Sequence, residues 1–176
     1  MEFKARQLSI EDLSVVMVEE KETWGDLSAD EVTVKERLSR YPPGNIGLFD
    51  SASLVGKCIW QPIYKITYDW GTNVARENCN PSGVESYVIN FDVHPSYQGK
   101  GASHALMQAS LESMQKQGIK LMWLGGRGLE SNRRFYEKWL DYVEDIPNYW
   151  SEDLESKGVG VLYKRDLANP IARKVA

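Results

Sequence analysis

The sequence predicts an α/β domain: a mixed, twisted sheet of about six or seven strands flanked by four helices. Three features predict it. Stretches rich in β-branched and aromatic residues recur from Phe3 to Tyr163. Stretches with the 3.6-residue apolar spacing of helices lie between them. Near the middle, Tyr87 to Leu111 runs strand, glycine turn and helix without a break. A length of 176 residues fits one domain with a sizeable core. The reading is a domain over 1–165 and a loose C-terminal tail over 166–176.

Phe3 to Gln7 is the first strand candidate. Ser9 and Asp12 form a capping box for a helix whose apolar face is Ile10, Leu13 and Met17, broken at Trp24-Gly25-Asp26. Ser28 and Glu31 form a second box, opening a helix toward Arg40 that Tyr41-Pro42-Pro43-Gly44 ends. Ile46 to Phe49 and Leu54 to Ile59 read as a hairpin turning at Asp50 to Ser53, and this antiparallel pair suits a mixed sheet. Pro62 to Gly83 is long for a plain connection. Its Tyr64, Tyr68 and Trp70 allow two readings: a loop closing over a substrate, or an extended hairpin whose aromatics join the core.

Tyr87, Val88, Ile89, Phe91 and Val93 make a strand that Pro95 ends. Ala102, Ala105, Leu106, Ala109 and Ser113 form one helical stripe, with Met107, Leu111 and Met114 beside it, and Gly118 stands at the C-terminal cap. Between them lies Gln98-Gly99-Lys100-Gly101-Ala102-Ser103. Glycines let the backbone turn and leave its amides open, and a helix N-terminus favours anions. Residues 99–104 are therefore a candidate site for a phosphate-bearing ligand. The plain alternative is a glycine-assisted turn with no ligand. Neither a P-loop nor a dinucleotide fingerprint fits, since the third glycine of the latter is His104 here. Ile119 to Leu124 is the next strand, followed by Gly125, Gly126 and Gly128. Asn132 to Leu140 is a short helix with Phe135 and Trp139 in the core, and Val159 to Tyr163 is a final strand.

The net charge of −4 argues against a nucleic-acid partner and mildly favours a cationic substrate. No apolar run nears 18 residues and no signal pattern opens the chain, so a cytoplasmic protein without a membrane span is expected. Cys58 and Cys79 lack metal spacing and are expected reduced. Two histidines are too few for a His-based zinc site, and no metal is expected.

Val93-His94-Pro95, then Gln98-x-x-Gly101-x-Ser103, resembles motif A of the GNAT superfamily of acyl-CoA N-acyltransferases. Asn132-Arg133-Arg134-Phe135-Tyr136-Glu137-Lys138 is similar to its motif B. The resemblance implies acetyl-CoA as co-substrate. It implies contacts from Phe91, Asp92 and Val93, from Gln98, Gly99, Lys100, Gly101, Ala102, Ser103 and His104, and from Asn132 and Tyr136. The pantetheine arm would lie between two splayed strands, bonding their backbone as an added strand does. Tyr136 matches the general acid that serves the departing thiolate.

The implied reaction is acetyl transfer to a primary amine, in a small molecule, by direct attack on the thioester. A lysine-like amine costs about 4.6 kcal/mol to deprotonate at pH 7, so a base helps. Glu85 and Asp92 are candidates, with His94 a third. Trp24, Tyr68 and Trp70 are candidate substrate contacts, as are Glu19 and Glu20. Two other readings stay open: a CoA-binding module without catalysis, and a protein or peptide acetyltransferase. Homodimers are common in the family, so a homodimer is among the expected assemblies.

Overall fold

The computed structural model describes residues 2–67, 72–147, 149, 158–168 and 171. Among these residues seven strands form one sheet in the order β1-β2-β3-β4-β5-β7-β6. They are β1 (Phe3–Gln7), β2 (Asn45–Asp50), β3 (Ser53–Ile63), β4 (Glu85–Val93), β5 (Leu121–Arg127), β6 (Asp141–Ile146) and β7 (Gly160–Asp166). The helices are α1 (Leu13–Trp24), α2 (Glu31–Arg40), α3 (Thr72–Glu77), α4 (Ala102–Lys116) and α5 (Glu130–Tyr136). Only β4 and β5 run parallel; every other pair is antiparallel, so the mixed sheet is as the sequence predicts. No helix among the described residues is long and apolar enough to cross a membrane.

Local chemistry explains most boundaries. Ser9 and Asp12 do form the predicted capping box, and Arg6 clamps Asp12 at 2.6 and 2.9 Å. The box opens a short 3₁₀ turn before α1, and Ile10 is exposed rather than in the core. Val16 takes the buried position, because the 3₁₀ turn shifts the phase of the helix behind it. Gly25 ends α1 at φ 57°, a conformation that suits glycine. The cap of α2 is Asp30, whose carboxylate accepts from Thr33 N at 2.8 Å, rather than the predicted box of Ser28 and Glu31. Asp30 immediately precedes the helical turn, which is the position a cap requires.

Two apolar layers hold the sheet. On one face α4 packs Leu106, Met107, Leu111 and Met114 against Cys58, Trp60, Met122, Leu124 and Tyr163. On the other, α1 and α2 bring Val16, Val34 and Leu38 onto Leu8 and Phe49. The segment 62–83 holds a longer β3, the helix α3, and an Asn78 side chain that accepts from Tyr64 N and Lys65 N at 3.2 Å. Tyr64 is exposed, and Tyr68 and Trp70 lie outside the described residues.

The C-terminal third departs most from expectation. Gly125 and Gly126 sit inside β5, not after it. The short helix is α5 over Glu130–Tyr136, so buried Trp139 lies beyond its end. The edge strand β6 was not foreseen: its side chains alternate little and are largely exposed. Past β7, Leu167 is buried and donates its N–H to Lys120 O at 2.8 Å. Cys58 and Cys79 are both free.

Candidate active site

The site is built where β4 leaves β5. Residues 85–88 pair with 121–124, and the pairing goes no further. At that point β4 carries a bulge. Ile59 of β3 opposes Asn90 and Trp60 opposes Val88, so Ile89 has no partner. An extra residue bends and twists its strand, which turns the last half of β4 away from β5. The bulge also resets the alternation. Val88, Phe91 and Val93 all face the α4 layer, while Asp92 faces α1 beside Lys57.

At the mouth of the gap stands the predicted glycine turn. Gly99 and Gly101 have φ 73° and 89°, and a Cβ on either would meet nothing within 4 Å. They are glycine for backbone reasons, not for space. His104 N and Ala105 N bond back to Gly101 O, but the amides of residues 99, 101, 102 and 103 have no hydrogen-bond partner among the described residues. Gly101 offers no side-chain cap, so the positive end of α4 is open. Gln98 turns inward and its Nε2 donates to Val93 O at 3.3 Å, tying the turn to the end of β4. Lys100 lies over the Tyr97 ring at 5.5 Å. His104 Nδ1 accepts from Trp139 Nε1 at 3.0 Å, and its ring packs on Phe135.

The α4 side of the gap is aromatic. Phe91 stacks on Phe135 at 5.9 Å and meets Tyr136 edge-on, and Tyr136 packs on Tyr163 at 5.3 Å. Gly126 makes room: a Cβ there would lie 2.9 Å from the Tyr136 ring. The Tyr136 hydroxyl makes no hydrogen bond among the described residues. Burial raises its pKa well above the ordinary phenol value, with Cys58, Tyr163 and Asp92 adding to the effect. Asn132 Nδ2 reaches Arg127 O at 3.4 Å, linking α5 to the end of β5.

The opposite side of the gap is ionic. Lys57 is 1% exposed, and its Nζ lies 2.5 Å from Glu19, 2.8 Å from Glu20 and 2.8 Å from Asp92. Trp24 Nε1 donates to Asp92 Oδ2 at 2.7 Å, Thr23 to Glu19 at 2.8 Å, and Ala29 N to Glu20 at 3.0 Å. The three carboxylates converge within 4.8 Å, a spacing that suits a metal, but the ammonium of Lys57 already stands among them. Burial alone would lower the Lys57 pKa; Asp92, Glu19 and Glu20 outweigh it and hold it above the ordinary lysine value. Burial, with Asp92 close by, pushes Glu19 up to about 7 against the pull of Lys57.

Of the residues singled out from the sequence, the structure thus gathers Trp24, Phe91, Asp92, Val93, Gln98–Ser103, His104, Asn132 and Tyr136 around one gap. Glu85 stands apart. It lies at the closed end of the β4–β5 pair, about 20 Å along the strand from Asp92, and accepts from Trp123 Nε1 at 2.9 Å. His94 Nδ1 accepts from Ser96 N, and its Nε2 faces Glu22 at 3.3 Å. Lys57 escaped sequence reasoning. One signal was available: a single lysine inside the apolar run Val55 to Trp60 must be buried, and a buried lysine needs carboxylates.

A family model described as the acetyltransferase (GNAT) family matches residues 9–142. No curated protein sequence matches significantly. Among solved structures, the loading GNATL domain of CurA from Lyngbya majuscula is similar at TM-score 0.82 and 19% identity, covering 96% of this chain and 99% of that one. The GphF GNAT-like decarboxylase in complex with isobutyryl-CoA gives TM-score 0.78 and 18% identity, with coverage of 93% and 99%. The ribosomal-protein-S18-alanine N-acetyltransferase of Escherichia coli gives TM-score 0.71 and 18% identity, with 94% of each chain covered.

Proposed function

The chain belongs to the GNAT acetyltransferase family, and from that premise we propose that it moves an acetyl group from acetyl-CoA to a primary amine of a small molecule. The observation that carries this reading is the row of open amides at 99 and 101–103, set at the mouth of a gap between two diverging strands. The amides suit a pyrophosphate. The free edges of β4 and β5 suit the amide groups of a pantetheine arm. The isobutyryl-CoA complex of the GphF GNAT-like decarboxylase supports the ligand class.

The neutral amine attacks the thioester carbonyl from the Asp92 side of the gap. A backbone N–H of β4 near Phe91 or Val93 stabilises the oxyanion. Collapse expels the CoA thiolate toward Tyr136. A phenol raised by burial stays protonated at every physiological pH, so Tyr136 is always a donor. It is a weaker acid than a thiol, so it steadies the thiolate by a hydrogen bond rather than by full proton transfer. Asp92 Oδ2 already serves Lys57 and Trp24 and leaves Oδ1 for the amine.

The test begins with thermal melts in acetyl-CoA, CoA, isobutyryl-CoA, NAD and ATP. A ligand at 100 times its Kd adds about 2.7 kcal/mol, a shift of several degrees at this size. Stabilisation by CoA species alone, followed by amine-dependent release of free thiol from acetyl-CoA, is the expected result. No shift with any CoA species at millimolar concentration refutes the reading. Binding without turnover across a broad panel of amines and peptides favours a CoA-binding module. Turnover with peptides alone favours a protein acetyltransferase.

A further inference from the structure

The ion cluster beneath Trp24 holds more carboxylates than cations. Glu19 and Glu20 come from α1 and Asp92 from β4, and Lys57 of β3 alone stands among them. The guanidinium of Arg37, on α2, lies behind, within electrostatic reach of Glu20 and Asp92. The neutral donors are Thr23, Trp24 and the amide of Ala29. With all three carboxylates ionised, one negative charge is left uncompensated in the interior, which is costly. A proton on Glu19 removes it, and burial together with Asp92 holds that proton until a pH of about 7.

Asp92 shows a second imbalance. Its side chain is 4% exposed, and Oδ2 accepts from both Lys57 and Trp24. Oδ1 is buried with no hydrogen-bond partner among the described residues. Asn90, two residues earlier and on the same face of β4, has a buried oxygen in the same condition. Buried acceptors are normally paired, and an orphan is destabilising. Two orphan oxygens and a surplus negative charge at one spot call for a cationic donor. Lys57 shows what kind fits, since its own ammonium sits 2.8 Å from the other oxygen of Asp92. The covering residue, Trp24, is partly exposed and is the last residue of α1, next to the turn at Gly25.

We propose that the ammonium head of a primary amine docks on Asp92 Oδ1 beside Lys57, and that Glu19 is the positioning residue that yields its proton to admit the cation. This rests on the acyl-transfer reading above. Charge balances at each step. As the ammonium docks, Glu19 releases a proton to solvent, so the cluster with its guest is neutral. When the ammonium later loses a proton to solvent to become the nucleophile, Glu19 takes one up from solvent, and the cluster is neutral again. Glu19 never touches the amine. It acts through Lys57 and Asp92 and sets the pH at which the site accepts a cation.

Calorimetry on the CoA-saturated protein tests this, with n-butylamine, phenethylamine and spermidine as probes and n-butanol as a neutral control. Titration at pH 7 in two buffers of different ionisation enthalpy reads the protons exchanged. The wild type is expected to release about half a proton per amine bound, since Glu19 is half ionised at about pH 7. Glu19→Gln should release none and bind the amines about tenfold or more weakly. Glu22→Gln, on the exposed side of the same helix, should behave as wild type. Equal proton release in wild type and Glu19→Gln, or no binding of any amine, overturns the proposal. Free-thiol release from acetyl-CoA with the same amines is measured in parallel. Transfer without the proton linkage sinks this inference and leaves the transferase reading standing. Amine binding with the linkage but without transfer does the reverse.

Discussion

Replacing Lys57 by methionine removes the cation that three buried carboxylates contact directly. The side chain is 1% exposed, and its partners lie at 2.5, 2.8 and 2.8 Å. Methionine matches the lysine stem in shape, so the change is one of charge more than of packing. Breaking a buried ion pair from one side costs about 3–5 kcal/mol. For a domain of this size each kcal/mol moves Tm by about 2–4 °C. The expected loss at pH 7 is therefore roughly 6–20 °C.

The pH dependence sharpens the expectation. The pKa of Glu19 in the folded protein, about 7, lies above its ordinary value of 4.5. Between these values the folded state binds more protons than the unfolded state, so stability falls as pH rises through the window. Without Lys57, whose pull opposes the rise, Glu19 holds its proton more tightly still, and the slope between pH 7 and 8 becomes steeper. Melting curves at pH 5, 7 and 8 for wild type, Lys57→Met and the double variant with Glu19→Gln provide the assay. The single variant should recover part of its loss at pH 5, and the double variant should recover part at pH 8. A Lys57→Met protein that melts with wild type at pH 7, with no steeper slope, would refute the picture of a cation-dependent cluster.

Other expectations concern the gap. Gly101→Ala should cost about 1–2 kcal/mol through its φ of 89° and should weaken acetyl-CoA binding by disturbing the open amides; Gly118→Ala, at φ 78° beyond the other end of α4, should cost stability alone. Calorimetry with acetyl-CoA separates the two. Tyr136→Phe should lower kcat about 10–100-fold, the worth of a hydrogen bond to a charged group, while the Kd for CoA stays as in wild type. Gly126→Ala should mimic it, because the new methyl meets the Tyr136 ring at 2.9 Å; steady-state kinetics check both. Burial pushes the Cys58 thiol up to about 12, so titration with a chromogenic disulfide should find only Cys79 until denaturant is added.

The sequence made the β4–α4 unit legible because every local signal agreed there. Alternating apolar residues, two glycines and a long helical stripe each pointed to the same strand, turn and helix. The capping box at Ser9 was legible for the same reason: both of its reciprocal bonds are local. What escaped depends on partners remote in sequence. The Lys57 cluster joins residues 35 and 38 positions apart, and periodicity carries no record of such pairs. Alternation alone would set Tyr87, Ile89, Phe91 and Val93 on one face of β4, and the bulge divides them between two. The exposed edge strand β6 was invisible because little selects its side chains by face.

The unpaired Ile89 also separates building the sheet from using it. Removing that residue would leave Val88 and Phe91 facing α4 and Asp92 facing Lys57, since an extra residue can leave without disturbing the alternation around it. Every apolar contact of the two layers could still form. What would go is the bend that parts β4 from β5, and with it the opening. A chain one residue shorter would thus be a sound scaffold with its doorway bricked up. In a lineage of such proteins, a single-codon deletion at this point would shut the gap while sparing the fold.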